Sequence, residues 1–330
     1  MSELEDPAVI EAIRGLFDHA TGVDASADLA AFGIWDLIRA DRVRAVQHVF
    51  HEQGRAAATS DMFNTLQQSL LDDHFPGLQA TVALNTSGEL AAPVVDIEDS
   101  TASGDAFAFG TPTRLVMFGA GAVTTYVAVV DSSGPGVSVD AVRGIDDTQL
   151  LTRIALHQAP VDIVALDDSS RRWWTDAAAW GRLALGWELV GTATAALTAA
   201  TAYAEARVQF GRPIGTFQAV QHRLAETLVA VEAAQAILEL PEGSVDPLIA
   251  SMAKALAGQA YKVAAKNCLQ VFGGIGFTVE HPFDRYMRRG ACLERLLGSG
   301  QAITESLGFS LLHTKSVPAL CGLQHRSGSG

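Results

Sequence analysis

Arg207, Phe210 and Gln218 fall close together in the stretch Tyr203-Ala-Glu-Ala-Arg207-Val-Gln-Phe210-Gly211-Arg-Pro213-Ile214-Gly215-Thr-Phe217-Gln218. A second group stands in Gln270-Val-Phe-Gly273-Gly274-Ile-Gly276-Phe277. A guanidinium forks onto phosphate or carboxylate oxygens, and such charge-assisted bonds are among the strong ones. As residues alone, Arg207 pairs most simply with a carboxylate near a helix end, Phe210 is core, and Gln218 is a solvated first-turn residue. Glycine lets backbone approach a flat or anionic ligand closely. Gly273 equally suits a plain helix stop, which leaves Gln270 unexplained. Gly119-x-Gly121 is no dinucleotide fingerprint: that needs a glycine turn opening a helix, and the strand-like run Thr124-Thr-Tyr-Val-Ala-Val-Val130 follows. Cys268, Cys292 and Cys321 are odd in number and scattered, without metal-ligand spacing, so no metal site is expected.

The elements that must carry these residues are helices. One ends near Arg207, a turn follows at Gly211 and Pro213, and a new helix starts near Thr216, whose hydroxyl suits an N-cap. From there Phe217, Val220, Leu224, Leu228, Val231 and Leu238 keep steps that predict one apolar stripe. Asp246-Pro247 restarts a helix with a cap and a first-turn proline. Gly273-Gly274 stops it, since glycine takes the left-handed cap position freely.

The chain has 330 residues, enough for two or three domains. Residues 1–75 read as helices, with stripes such as Val9, Ile10, Ile13, Leu16 and Phe17. Residues 76–170 hold short β-rich runs: Ala80–Leu84, Ala91–Val95, Ala106–Phe109, Arg114–Phe118, Thr124–Val130, Val137–Val139 and Ile163–Leu166. Turn residues separate them, which predicts a small antiparallel sandwich or barrel. Residues 171–326 return to helices, expected at Trp174–Arg207, Thr216–Leu240, Asp246–Phe272 and, as a shorter series, His281–Leu312. Short connections make such helices antiparallel neighbours. Residues 327–330 read as a tail, native or not. The fold class is α+β, mainly α. Apolar content of 48% fits an Ala/Leu/Val-rich core. No window reads as a membrane span, and the acidic N-terminus is unlike a signal peptide. A net charge of −14 argues against a nucleic-acid partner. Three unpaired cysteines suit the reducing cytoplasm.

Together, Tyr203-x3-Arg207-x2-Phe210-Gly211-x2-Ile214, Phe217-Gln218, Leu224-Ala225 and Gln270-x2-Gly273-Gly274-x-Gly276 resemble the C-terminal bundle of the acyl-CoA dehydrogenase family. The likeness covers about residues 180–303 well and the earlier chain weakly. It implies an N-terminal helical layer, a middle β-domain and a four-helix-type bundle. It also implies that Arg207, Phe210, Gln218, Gln270, Gly273 and Gly274 reach the FAD of a neighbouring subunit, with the arginine on the pyrophosphate. Family members carry a glutamate that removes the α-proton of the acyl-CoA. Leu297 stands at its usual place, in Leu296-Leu297-Gly298-Ser299. Gly181, before Arg182, stands at the alternative place on the first bundle helix. Neither residue can accept a proton. Glu294 and Glu188 are nearby carboxylates, read mainly as exposed helix-face residues. The Thr-x-Pro loop and Trp-Ile-Thr strand that hold the family's flavin ring are missing from residues 75–172.

The resemblance therefore points to the short, base-lacking subunit of heteromeric (α2β2) acyl-CoA dehydrogenases of steroid-degrading actinobacteria. There FAD is shared with a longer catalytic subunit, the acyl-CoA is bulky, and electrons pass to an electron-transfer flavoprotein. Nucleic-acid and membrane partners are not expected. Two alternatives stay open: a self-sufficient dehydrogenase using Glu294 or Glu188, and a non-enzymatic acyl-CoA-binding scaffold.

Overall fold

The computed structural model describes residues 3–19, 24–85, 95–121, 125–146, 148, 151–165, 168–239 and 245–315. The tail at 327–330 and Cys321 lie outside them.

Five helices come first: α1 (Pro7–His19), α2 (Ser26–Phe32), α3 (Ile34–Ala40), α4 (Arg42–Ala56) and α5 (Met62–His74). Asp41 caps α4 by accepting from the Arg44 N–H. Ile13, Phe17, Val46, Val49 and Phe50 are fully buried, so the helical spacing in this region does mark core faces.

Nine strands follow: β1 (Thr81–Val82), β2 (Leu84–Asn85), β3 (Val95–Glu98), β4 (Thr101–Phe109), β5 (Arg114–Ala120), β6 (Thr125–Asp131), β7 (Val137–Ala141), β8 (Leu151–Pro160) and β9 (Asp162–Ala165). Their main path runs β7-β8-β4-β3-β5-β6-β9, with β1 on β5 and β2 on β4. The expectation of a purely antiparallel arrangement needs correction, since β1 and β3 both pair in parallel with β5. The cause is local. Asp99 and Ser100, both left-handed, turn β3 tightly back onto β4, and β5 then returns along the far side of β3. Gly119 pairs with Tyr126 in the antiparallel β5–β6 ladder and Gly121 stands just past the end of β5, so Gly119-x-Gly121 closes a strand rather than opening a helix. The first four residues of the Ala91–Val95 run and Leu166 lie outside the described residues.

Helix α6 (Asp168–Ala206) is the axis of the molecule. Its first turns bury Trp173 and Trp174 under the sheet, with Trp174 stacked on Phe118 at 5.6 Å between ring centroids. Its remainder is the centre of the bundle. One window of α6 is apolar enough to cross a membrane, which the sequence reading did not expect, but 78% of that window is buried inside the protein. Threonines 192, 194, 198 and 201 satisfy their hydroxyls on the carbonyl one turn earlier. At the α4–α6 crossing, a Cβ on Gly191 would stand 2.0 Å from the His51 carbonyl oxygen. One on Gly54 would stand equally close to that of Glu188. Only glycine permits backbones to meet this closely.

The bundle continues with α7 (Gln218–Leu238), α8 (Pro247–Phe272), α9 (Phe283–Arg295) and α10 (Gly300–Thr314). Asp246 caps α8 through the Leu248 N–H, with proline in the first turn. Gly273 ends α8 at a φ of 66°. Thr216 is not a cap: its hydroxyl donates to the Pro213 carbonyl inside a 3-10 turn, Ile214–Thr216, and α7 starts two residues later. The expected α7 stripe is also divided. Val231 and Leu238 are buried, whereas Leu228 is 48% exposed.

Candidate functional site

Two places matter: the positions where a base would stand, and one end of the bundle.

The first lies between α6 and the turn joining α9 to α10. Gly181, in α6, has no side chain, and a Cβ there would meet Leu297 Cδ1 at 2.5 Å. The Gln67 amide nitrogen and the Phe63 ring would each stand 3.2 Å away. The two positions that could have held a carboxylate therefore face the same spot, and Leu297 fills it. Leu297 adopts a left-handed φ of 54°, uncommon for a residue with a branched side chain. Two buried cations hold that turn. Arg182 Nε donates to the Leu297 carbonyl at 3.2 Å. Lys254 Nζ, fully buried, donates to the carbonyls of Glu294 at 3.0 Å and Gly298 at 3.4 Å. Burial lowers both: Arg182 to about 10 and Lys254 to about 7.

Neither nearby glutamate is an exposed helix-face residue, which corrects the sequence reading. Glu188 is buried, and its Oε1 accepts from Arg289 Nε at 2.8 Å and Nη2 at 2.5 Å. Glu294 is 6% exposed; its Oε1 takes Lys262 Nζ at 2.7 Å and the Gly300 N–H at 2.9 Å. Both carboxylates are committed to holding helices together. Their partners stand 101 and 32 residues away along the chain, beyond the reach of any local pattern.

The second place gathers the other marked residues. Phe272, at the end of α8, packs on Tyr203 of α6 at 5.3 Å and on Phe283 of α9 at 4.9 Å between centroids. Ile214, Val220 and Leu224 pack against the same cluster. The segments bearing Arg207, Phe210 and Gln218, and those bearing Gln270, Gly273 and Gly274, thus share one apolar anchor. Between α6 and α7 the chain forms a small hairpin of β10 (Val208–Gln209) and β11 (Arg212–Pro213), turned by Phe210 and Gly211 at φ values of 52° and 78°.

The simple readings of Arg207 and Phe210 fail here. Phe210 is 93% exposed rather than core. The exposed Arg207 side chain has no carboxylate partner among the described residues. Gln218 and Gln270 are exposed as well. Cβ atoms built on Gly211, Gly273 or Gly274 would meet nothing within 4 Å, so backbone is bare to an incoming group. Ile275, Phe277 and Val279 add exposed apolar surface beside them. A free guanidinium, exposed amides, bare backbone and an outward aromatic fit the phosphate and nucleotide end of a flavin dinucleotide. The sequence did not single out Arg212, whose guanidinium lies 4.3 Å from the centroid of the Phe217 ring. Its signal was its register in the hairpin, opposite Gln209.

Comparison with known proteins agrees with this architecture. Residues 172–311 match the family profile "Acyl-CoA dehydrogenase, C-terminal domain". The acyl-CoA dehydrogenase FadE34 of Mycobacterium tuberculosis is 35% identical over 243 residues, covering 68% of this chain. The match spans about a third of that relative's own length (32%). The acyl-CoA dehydrogenase IpdE2 of the same organism is 31% identical over 78% of this chain and 75% of its own. Among solved structures, a Tcur3481-Tcur3483 steroid ACAD variant superposes with a TM-score of 0.77 at 24% identity, covering 94% of this chain and 99% of that one. The ChsE4-ChsE5 complex of Mycobacterium tuberculosis gives 0.72 at 23% identity, covering 94% and 89%. These two likenesses speak to the fold.

Proposed function

This chain belongs to the acyl-CoA dehydrogenase family, and we propose that it is the base-lacking subunit of a heteromeric member that completes an FAD site shared with a longer chain. The observation that carries this is the closure of the base site. Leu297 occupies the space of any side chain at 181, and the two nearest glutamates are tied to Arg289 and Lys262. A positioned base supplies about 10²–10⁴-fold, and this chain offers none there.

Its own residues would act at a distance from the reacting carbons. Arg207 would bind the pyrophosphate. Gln218 and Gln270 would hydrogen-bond the cofactor, with Phe210 and the Gly273-Gly274 backbone packed against it. FAD, when bound, accepts the hydride leaving Cβ of the acyl group. The carboxylate removing the α-proton would come from the partner, as would the ring pocket, whose Thr-x-Pro loop and Trp-Ile-Thr strand are missing from the sequence of residues 75–172. The names of the structural neighbours, a steroid ACAD and a ChsE4-ChsE5 complex, support a bulky steroid-derived acyl-CoA and a two-chain assembly. Electrons would pass on to an electron-transfer flavoprotein. The cytoplasm is the proposed location.

The test is what accompanies the chain from its native host. Expected is a second, longer acyl-CoA dehydrogenase chain with a glutamate at a base position, one flavin per pair, and activity in the pair but not in this chain alone. A yellow, active assembly of this chain with itself would overturn the proposal.

A further inference from the structure

We propose that Arg212 is a second phosphate-binding guanidinium of the shared cofactor site, carried with Arg207 on the short 207–214 hairpin and held by the ring of Phe217. This rests on the reading above and extends it to a residue which that reading does not use.

The hairpin register carries the placement. Gln209 stands directly opposite Arg212, and Val208 opposite Pro213. The Ile214 N–H donates to the Arg207 carbonyl at 2.8 Å, so 207 and 214 close the same ladder. Directly opposed residues share a face, and residues two apart on a strand share it too. Gln209 and Arg212 therefore belong to one face, and Val208 and Pro213 to the other, with Arg207 at the base of the same hairpin.

Both guanidinia lack a carboxylate partner among the described residues. In a chain with 37 acidic against 23 basic side chains, two arginines gathered without an acid disfavour one another unless an anion lies between them. A pyrophosphate carries two negative charges and matches two guanidinia.

The packing of Arg212 leaves it able to bind. Its guanidinium lies over Phe217, 4.3 Å from the ring centroid, and Phe217 meets Phe210 edge-on at 6.2 Å. A guanidinium held over a ring by cation–π attraction keeps N–H groups to donate, and Arg212 is exposed. Phe217 is also the residue just before α7, whose first residue is Gln218. Arg212, Phe217 and Gln218 thus form one connected run, and the left-handed Phe210 is fixed at its other side.

The experiment uses the native two-chain assembly, with its FAD removed and restored. FAD affinity is measured across a salt series for the parent, Arg212→Gln, Arg212→Lys and Arg207→Ala. Glutamine keeps a flat group over Phe217 but no charge. Arg212→Gln is expected to weaken FAD binding about tenfold or more and to flatten its salt dependence. Arg212→Lys should keep the salt dependence while recovering only part of the affinity. The KM for acyl-CoA should not move. Unchanged FAD affinity in Arg212→Gln, with a clear loss in Arg207→Ala, would overturn this inference alone. No loss in Arg207→Ala would overturn the cofactor site itself. A raised KM with FAD affinity intact would assign the guanidinium to a coenzyme A phosphate and also overturn it. A weakened Arg212→Lys without salt dependence would show a brace for Phe217 and nothing more.

Discussion

Gly181 and Leu297 form a pair that neither residue explains alone. In a helix interior glycine is disfavoured by about 1 kcal/mol relative to alanine, so Gly181→Ala in an open site would stabilise. Here the added methyl lies 2.5 Å from Leu297 Cδ1, and the Gln67 amide and Phe63 ring close the other sides. Overpacking of this kind costs about 1–3 kcal/mol. Gly181→Ala is thus expected to destabilise the parent protein and to be neutral or stabilising in a Leu297→Ala background. The coupling would be about 0.5–3 kcal/mol by a denaturant-unfolding double-mutant cycle. Strictly additive effects would show that the two residues do not face each other. Glu188 and Glu294 teach the complementary lesson about legibility. Each looked like a surface carboxylate because a helical repeat reports a face but not its neighbour. Arg289 and Lys262 arrive from other helices and turn both glutamates into structural ties.

At the scale of elements, most of what was legible depended on local chemistry. Asp246-Pro247 and Gly273 did mark the ends of α8, because caps are satisfied by adjacent backbone. Strand β8 was missed. Its Leu-Thr-Arg-Ile-Ala-Leu-His-Gln composition favours a helix, and pairing with β4 and β7 overrides that preference. The α9–α10 turn was equally hidden, since its stability comes from a distant helix through Lys254. That lysine gives the turn a pH signature. Burial first, then repulsion from Arg182 and Lys262 against attraction from Glu294, lowers it to about 7 from 10.5. Below pH 7 folded and unfolded chains both hold the proton, so stability does not change with pH on its account. From about 7 to 10.5 the unfolded chain holds a proton that the folded one has released, so Lys254 makes stability rise with pH. Lys254→Met should flatten this rise, read as the urea midpoint against pH. An identical rise in the variant would show that the lysine is not buried as described.

The whole molecule divides into a closed side and an open one. Around α6 the interior is sealed by Leu297, the Glu188–Arg289 pair and the glycine crossing with α4. At the bundle end carrying the hairpin, the surface offers Val208 at 53%, Phe210 at 93%, Ile275 at 48%, Phe277 at 75% and Val279 at 72% exposure. Large apolar side chains gathered this way mark interaction sites on proteins that are otherwise well packed. They flank the proposed cofactor residues, so the surface proposed to take the far end of FAD should also be the one that the proposed longer chain covers. Hydrogen exchange can locate it. Backbone amides of 208–217 and 273–279 should exchange fast in the isolated chain and slow markedly in the two-chain assembly. Those of the α4–α6 crossing should be slow in both. Protection confined to α10, whose Phe309 and Leu312 are also exposed, would place the partner elsewhere and detach the hairpin from the shared site.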